Sequence, residues 1–246
     1  MQATPIYQLP TLVGGQYVYI SVLTETEDTV LYSARQKDMQ REVVVETLRP
    51  GLMGDVNKVQ AFLEKARAQA RLGGGSIASC LELLFADGTW HLAKERIDGT
   101  PLDIMVAEGC TLPASELCDL MQLLCRICIG MDIEGIAGAP FLPQNLYYMA
   151  PGFRLRNPAV GGPRGRSSSR RVLTSAAAEL LKLLDLSSPF ASELSNVLSR
   201  MSFPSNWTSL SPVLYNEELA RLQQLFFCGV LEPSPPQPSE EESSAS

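Results

Sequence analysis

At Pro113 the hydrophobic period of this 246-residue chain changes. Before that point, short apolar runs alternate with polar turns. After it, apolar residues recur at helical spacing. A chain patterned this way builds a sheet from its first half and a helical layer from its second. Residues 17–34, "YVYISVLTETEDTVLYSA", read as strand, polar turn and strand, with apolar residues at alternate positions on both sides of Thr24–Thr29. "REVVVETL", residues 41–48, is a third strand. Residues 78–85 and 89–97, "ASCLELLF" and "TWHLAKERI", make a pair around Asp87-Gly88. One helix interrupts the strands. Residues 56–72 carry Val59, Phe62, Leu63, Ala66 and Ala70 on one face, and Gly73-Gly74-Gly75 ends the run.

Beyond Pro113, "SELCDLMQLLCRICIGM" predicts a long helix. A short hairpin around Pro151-Gly152 follows, then helical stretches near 174–186, 190–201 and 215–228. The tail "EPSPPQPSEEESSAS" has the composition of a disordered segment. The expected organisation is an extension at 1–16, a strand-rich lobe at 17–97 and a helical lobe at 98–230. Residues 161–171 form a basic mobile loop within the second lobe, and 231–246 a disordered acidic tail.

Composition narrows the function classes. A hydrophobic share of 45% with 19% charged residues suits a globular protein with a real core. A net charge of −7 predicts no broad basic surface, which argues against nucleic acid as a partner. No apolar run has the ~18 residues of a membrane span, and "MQATPIYQLPTL" lacks the basic start and apolar stretch of a signal peptide. These features point to a cytoplasmic protein. Cys125 and Cys128 are read as small apolar residues on a buried helix face rather than as a redox or metal pair, and His91 as a packed or edge histidine.

"GIAGAPFLPQN", residues 135–145, has the outline of a catalytic loop, and with its neighbours it resembles the bacterial Ser/Thr protein kinases from about Tyr17 to Gly161. Leu23 to Ala34 has the length of the family's glycine-rich loop, with Thr24, Thr26 and Thr29 in the glycine places. Val43-Val44-Val45-Glu46 is similar to the Val-Ala-Ile-Lys strand, so Glu46 takes the lysine's place. "FLEK" puts Lys65 where the following helix carries its glutamate. Lys94 falls at the position that gates the nucleotide pocket. Gly138, Ala139 and Pro140 replace His-Arg-Asp, Leu142 replaces the loop lysine, and Pro143 and Asn145 remain. Asn157-Pro158-Ala159 stands for Asp-Phe-Gly. The resemblance implies an α+β, two-lobe kinase-like fold: a five-stranded antiparallel N-lobe with one main helix, and a shortened, mainly helical C-lobe.

The same substitutions remove the reaction's machinery. Phosphoryl transfer in kinases is positioning plus charge stabilisation. Threonines hinder the close backbone approach that glycines allow. Without aspartates at 140 and 157, the vestigial Asn145 holds magnesium poorly, because that hard cation wants carboxylates. Glu25, Glu27, Asp28 and Glu46 put negative charge around a site for a polyanion; a like-charge contact at ~4 Å costs ~4 kcal/mol at an effective dielectric of ~20. The expectation is a pseudokinase with no cofactor and no metal, serving as a scaffold or allosteric regulator. The alternatives are a divergent nucleotide-dependent enzyme, for which Asp132, Glu134 and Asp98 are the nearby acids, and a purely structural subunit.

Two further expectations concern charge, the first implied by the resemblance and the second read from the residues themselves. Glu46 and Lys65 are the family's Lys–Glu pair with the signs exchanged, and they should meet between sheet and helix. "GGPRGRSSSRR" places Arg164, Arg166, Arg170 and Arg171 around three serines. That loop can bind a partner protein, an active kinase or an acidic or phosphorylated segment. It can also be phosphorylated itself, contact the acidic tail at Glu240–Glu242, or remain solvated.

Overall fold

The structure, a computed structural model, describes residues 7–72, 74–136, 142–150, 152–157, 169–203 and 212–228. The first half is a six-stranded antiparallel sheet. Its strands are β1 (Thr11–Val13), β2 (Tyr17–Glu25), β3 (Thr29–Gln36), β4 (Arg41–Leu48), β5 (Cys80–Ala86) and β6 (Thr89–Glu95), in the spatial order β1-β2-β3-β4-β6-β5. The five expected strands are present. The sixth, β1, comes from the segment assigned to the N-terminal extension: Thr11–Val13 pairs with Tyr17–Tyr19. At three residues, β1 is too short to show a period of its own.

The sheet curls until its two ends meet. Tyr17 and Gln16 donate to the Glu82 carboxylate on β5, at 2.9 and 3.4 Å. Gly14 lies against the same strand: with φ of +57°, any Cβ would sit 2.6 Å from Leu84 Cδ1. Only glycine combines that backbone conformation with that approach. Val13, Tyr17, Tyr19, Val30, Tyr32, Val43, Val45 and Ala93 fill the concave side. His91 is fully buried beside them; its Nε2 donates to Ala86 O at 3.0 Å, and its Nδ1 lies 2.9 Å from the Tyr19 hydroxyl and 3.0 Å from that of Thr47.

Period two assigns the opposite face of β4 and β6 to the helix α1 (Val56–Leu72). Leu48 and Leu92 pack there on Phe62, Leu63 and Ala66 of α1. Glu46 and Lys94 share that parity and therefore share that face. On α1, Lys65 and Gln69 stand four residues apart and so project along one edge of the helix.

The helical half surrounds α3 (Ala114–Ile133), whose Leu117, Leu120, Met121, Leu124, Cys125 and Cys128 are buried. Around it lie α2 (Leu102–Ala107), α4 (Ser169–Leu180), α5 (Pro189–Ser202) and α6 (Pro212–Phe227). Burial pushes the Cys125 thiol up to about 12. A small sheet of β7 (Thr100–Pro101), β8 (Leu146–Tyr148) and β9 (Phe153–Leu155) joins the halves. The helix expected at 174–186 is offset: it runs from Ser169 to Leu180. The leucines beyond Leu180 keep the helical period, but Leu183 O accepts from Leu112 N at 2.8 Å and Leu184 bridges Leu112, which draws the chain out of the helix. Among the described residues, no helix is long and apolar enough to cross a membrane.

Candidate functional site

Where α1, β4 and β6 meet the end of β9, a polar cluster is buried between the two halves. Glu46 is 4% exposed and Lys94 is fully buried. Glu46 Oε1 accepts from Lys65 Nζ at 2.9 Å, and Oε2 accepts from Lys94 Nζ at 2.7 Å. The expected pairing of Glu46 with Lys65 is present, and Lys94 completes it from the other side. Lys94 lies diagonally across the ladder, since Glu46 stands opposite Leu92 and Val44 opposite Lys94. Diagonal neighbours on one face come within reach of long side chains.

Lys94 also donates to Asn157 Oδ1 at 2.6 Å, and Gln69 Nε2 donates to the same oxygen at 2.7 Å. Asn157 Nδ2 reaches Asn145 Oδ1 at 3.4 Å, an oxygen that also accepts from the Arg156 guanidinium at 3.2 Å. Arg156 further donates to the Tyr147 hydroxyl at 2.8 Å and to Gln144 O at 3.2 Å. Glu46, Lys65, Lys94, Asn145 and Asn157, selected from sequence by separate motifs, thus belong to one connected network. Pro140 lies outside the described residues, as do Arg164 and Arg166 and the side chain of Arg170; Arg171 is exposed in the first turn of α4.

Electrostatics follow from the geometry. Burial pushes the Glu46 carboxyl up, but Lys94 and then Lys65 pull harder, so it lies well below the usual carboxylate range. Burial draws the Lys94 ammonium below its ordinary value, against the pull of Glu46. One carboxylate between two ammonium groups gives the triad a net positive charge. The expectation that Glu46 presents repulsive negative charge to the cleft is therefore corrected: its charge is consumed by two lysines. Two of the three turn acids are partnered too, Glu25 by Arg49 at 2.7 Å and Asp28 by Lys58 at 2.8 Å, while Glu27 is exposed.

This donor set does not suit a magnesium–nucleotide group. A hard divalent cation wants carboxylate oxygens. The amide oxygens of Asn145 and Asn157 face a guanidinium and an ammonium, and the carboxylate of Glu46 is saturated by lysines. The acids considered as replacements lie elsewhere. Asp98 is exposed and paired with Arg96, Glu134 is exposed and 3.7 Å from Arg71, and Asp132 is exposed at the end of α3.

No family model and no curated protein matches the chain. Solved structures do. The kinase domain of Mycobacterium tuberculosis PknI is similar with a TM-score of 0.65 at 16% identity, over 88% of this chain and 99% of that one. A point mutant of that domain gives 0.65 at 16% identity over 88% and 98%, and another structure of the domain gives 0.65 at 15% identity over 89% and 99%. The chain has the fold of a protein kinase domain. The kinase fold accounts for the two-lobe order, and the C-lobe is the shortened part.

The kinase motifs mark Lys94 only as a residue gating a pocket and do not mark Gln69 or Arg156. The signal for Lys94 was present in the strand pattern. A lysine between Ala93 and Glu95, in step with buried Leu92, must bury its ammonium against a partner of the same parity. Gln69 had a weaker signal, as a polar residue one turn from Lys65 that falls in step with Phe62 and Ala66 on the buried face of α1. Arg156 had none, because its partners Tyr147 and Asn145 belong to a different strand and turn.

Proposed function

We propose that this protein is a catalytically silent kinase fold, a pseudokinase that works by binding other proteins as a scaffold or allosteric partner. One observation carries this reading: the residue in the place of the kinase lysine is a buried glutamate, bound at 2.9 and 2.7 Å by Lys65 and Lys94. A nucleotide's phosphates would meet two lysines already committed to that carboxylate, and a magnesium ion would meet Lys94 on Asn157 Oδ1. Like-charge repulsion by Glu46 plays no part. What supports the silent reading is that the charged groups of this cluster, Glu46, Lys65, Lys94 and Arg156, are already engaged within the protein.

The proposed partner carries acidic or phosphorylated groups. From Gly135 to Ala178 the sequence holds six arginines and neither aspartate nor glutamate, in a chain whose net charge is −7. Arginine binds carboxylate and phosphate bidentately. Arg164, Arg166, Arg170 and Arg171 supply the contacts, and replacing all four with alanine is expected to abolish capture of phosphoserine peptides while leaving the melting temperature unchanged.

The test of silence is a thermal-shift titration with ATP and magnesium, run beside a labelled-phosphate transfer assay. A ligand at 100 times its dissociation constant adds ~2.7 kcal/mol of stability. The expected result is no shift at millimolar ATP and no transferred label. A saturable shift that requires magnesium, or measurable transfer, overturns the proposal.

A further inference from the structure

The segment from Arg154 to Asn157 is tied to the N-lobe by more than its chain connection. Leu155 N donates to Ser76 O, and Ala78 N to Leu155 O, each at 2.7 Å. Arg154 holds Glu95 bidentately at 2.6 and 2.8 Å. Gln69 on α1 donates to Arg156 O at 3.0 Å as well as to Asn157. Lys94 joins Asn157 to the Glu46–Lys65 pair. Strand β4, strand β6, helix α1 and the 154–157 segment therefore meet at two atoms, Lys94 Nζ and Asn157 Oδ1. Gln69 and Lys94 are 1% and 0% exposed, so water does not compete for these bonds.

We propose that Lys94 and Asn157 form a built-in lock that holds helix α1 and the two lobes in one setting without any ligand. The internal ammonium does the cross-linking. Asn157 suits this place because Glu46 already balances part of the local positive charge. The amide accepts from Lys94 and Gln69 without adding a second charge, and its Nδ2 continues the network to Asn145. The lock presents α1 and the cleft edge as an unchanging surface, and it holds whether or not the chain transfers phosphate.

Hydrogen–deuterium exchange on the full chain tests this. Asn157→Ala removes the Lys94 and Gln69 contacts on Asn157 Oδ1; it leaves the Arg154–Glu95 pair, the Gln69 bond to Arg156 O and the Glu46–Lys65–Lys94 triad in place. It is expected to accelerate exchange at the Ala78 and Leu155 amides tenfold or more, with no change along β4. Lys94→Met is expected to accelerate the same two amides. Unchanged rates at Ala78 and Leu155 in the Asn157 variant overturn the lock, as does acceleration that is equal along β4, which would mark general loosening. Magnesium–ATP added to the parent is expected to leave both amides as they are. A tenfold slowing there would mean that closure awaits a ligand, and the lock would be refuted. Loss of the lock with no response to nucleotide leaves the silent reading standing.

Discussion

Glu46→Gln keeps the shape of the side chain and removes its charge. Lys94, fully buried, then keeps two amide oxygens as neighbours and loses its counter-ion. Breaking a buried pair from one side costs ~3–5 kcal/mol. The cost has a ceiling, because the ammonium can escape by losing its proton. From an ordinary lysine value of 10.5, deprotonation at pH 7 costs ~5 kcal/mol, and each pH unit upward removes ~1.4 kcal/mol of it. In the variant, Lys94 holds its proton less tightly in the folded than in the unfolded state, so rising pH favours folding. Urea denaturation of parent and variant at pH 7 and pH 9 measures both effects. The expected loss at pH 7 is ~3–5 kcal/mol, roughly 10 °C in melting temperature for a domain of this size, falling to ~2 kcal/mol at pH 9. Lys94→Met placed on the Glu46→Gln background removes the stranded charge and restores part of the loss. A cost below ~1 kcal/mol at pH 7, or an equal cost at both pH values, refutes the claim that Glu46 serves as the counter-ion of a buried lysine.

Gly14→Ala combines a positive φ with a contact of 2.6 Å to Leu84 Cδ1; a loss of ~1–2 kcal/mol is expected from the backbone alone, with the clash partly relieved by Leu84→Ala, as thermal melts will show. The chain has a single histidine, and burial holds the His91 imidazole below its ordinary 6.5. The unfolded chain therefore binds the extra proton first, and stability falls as pH drops below ~6.5, by at most ~1.4 kcal/mol per pH unit. His91→Gln flattens the melting temperature between pH 7 and 5.5. The depressed Glu46 carboxyl acts at lower pH: its stabilisation is complete above its ordinary value of 4.5 and is lost as pH falls from there. Glu46→Gln is expected to remove that part of the acid sensitivity.

Local pattern made much of this protein readable. The α1 boundaries, Val56 to Leu72, follow from one apolar face and the glycines after it, and the turn at Asp87-Gly88 from two flanking apolar runs. Both depend on interactions within a few residues. Strand β1 escapes a reading by pattern because three residues carry no period, and α4 is offset because Leu183 and Leu184 serve a contact with Leu112, far away in sequence. The cleft divides the same way. That Glu46, Lys65, Asn145 and Asn157 stand at kinase motif positions could be read residue by residue. The sign of the field they create could not. A charge acts according to its nearest neighbour and to the water excluded around it, and both were settled when folding carried Lys94 from another strand to within 2.7 Å of Glu46.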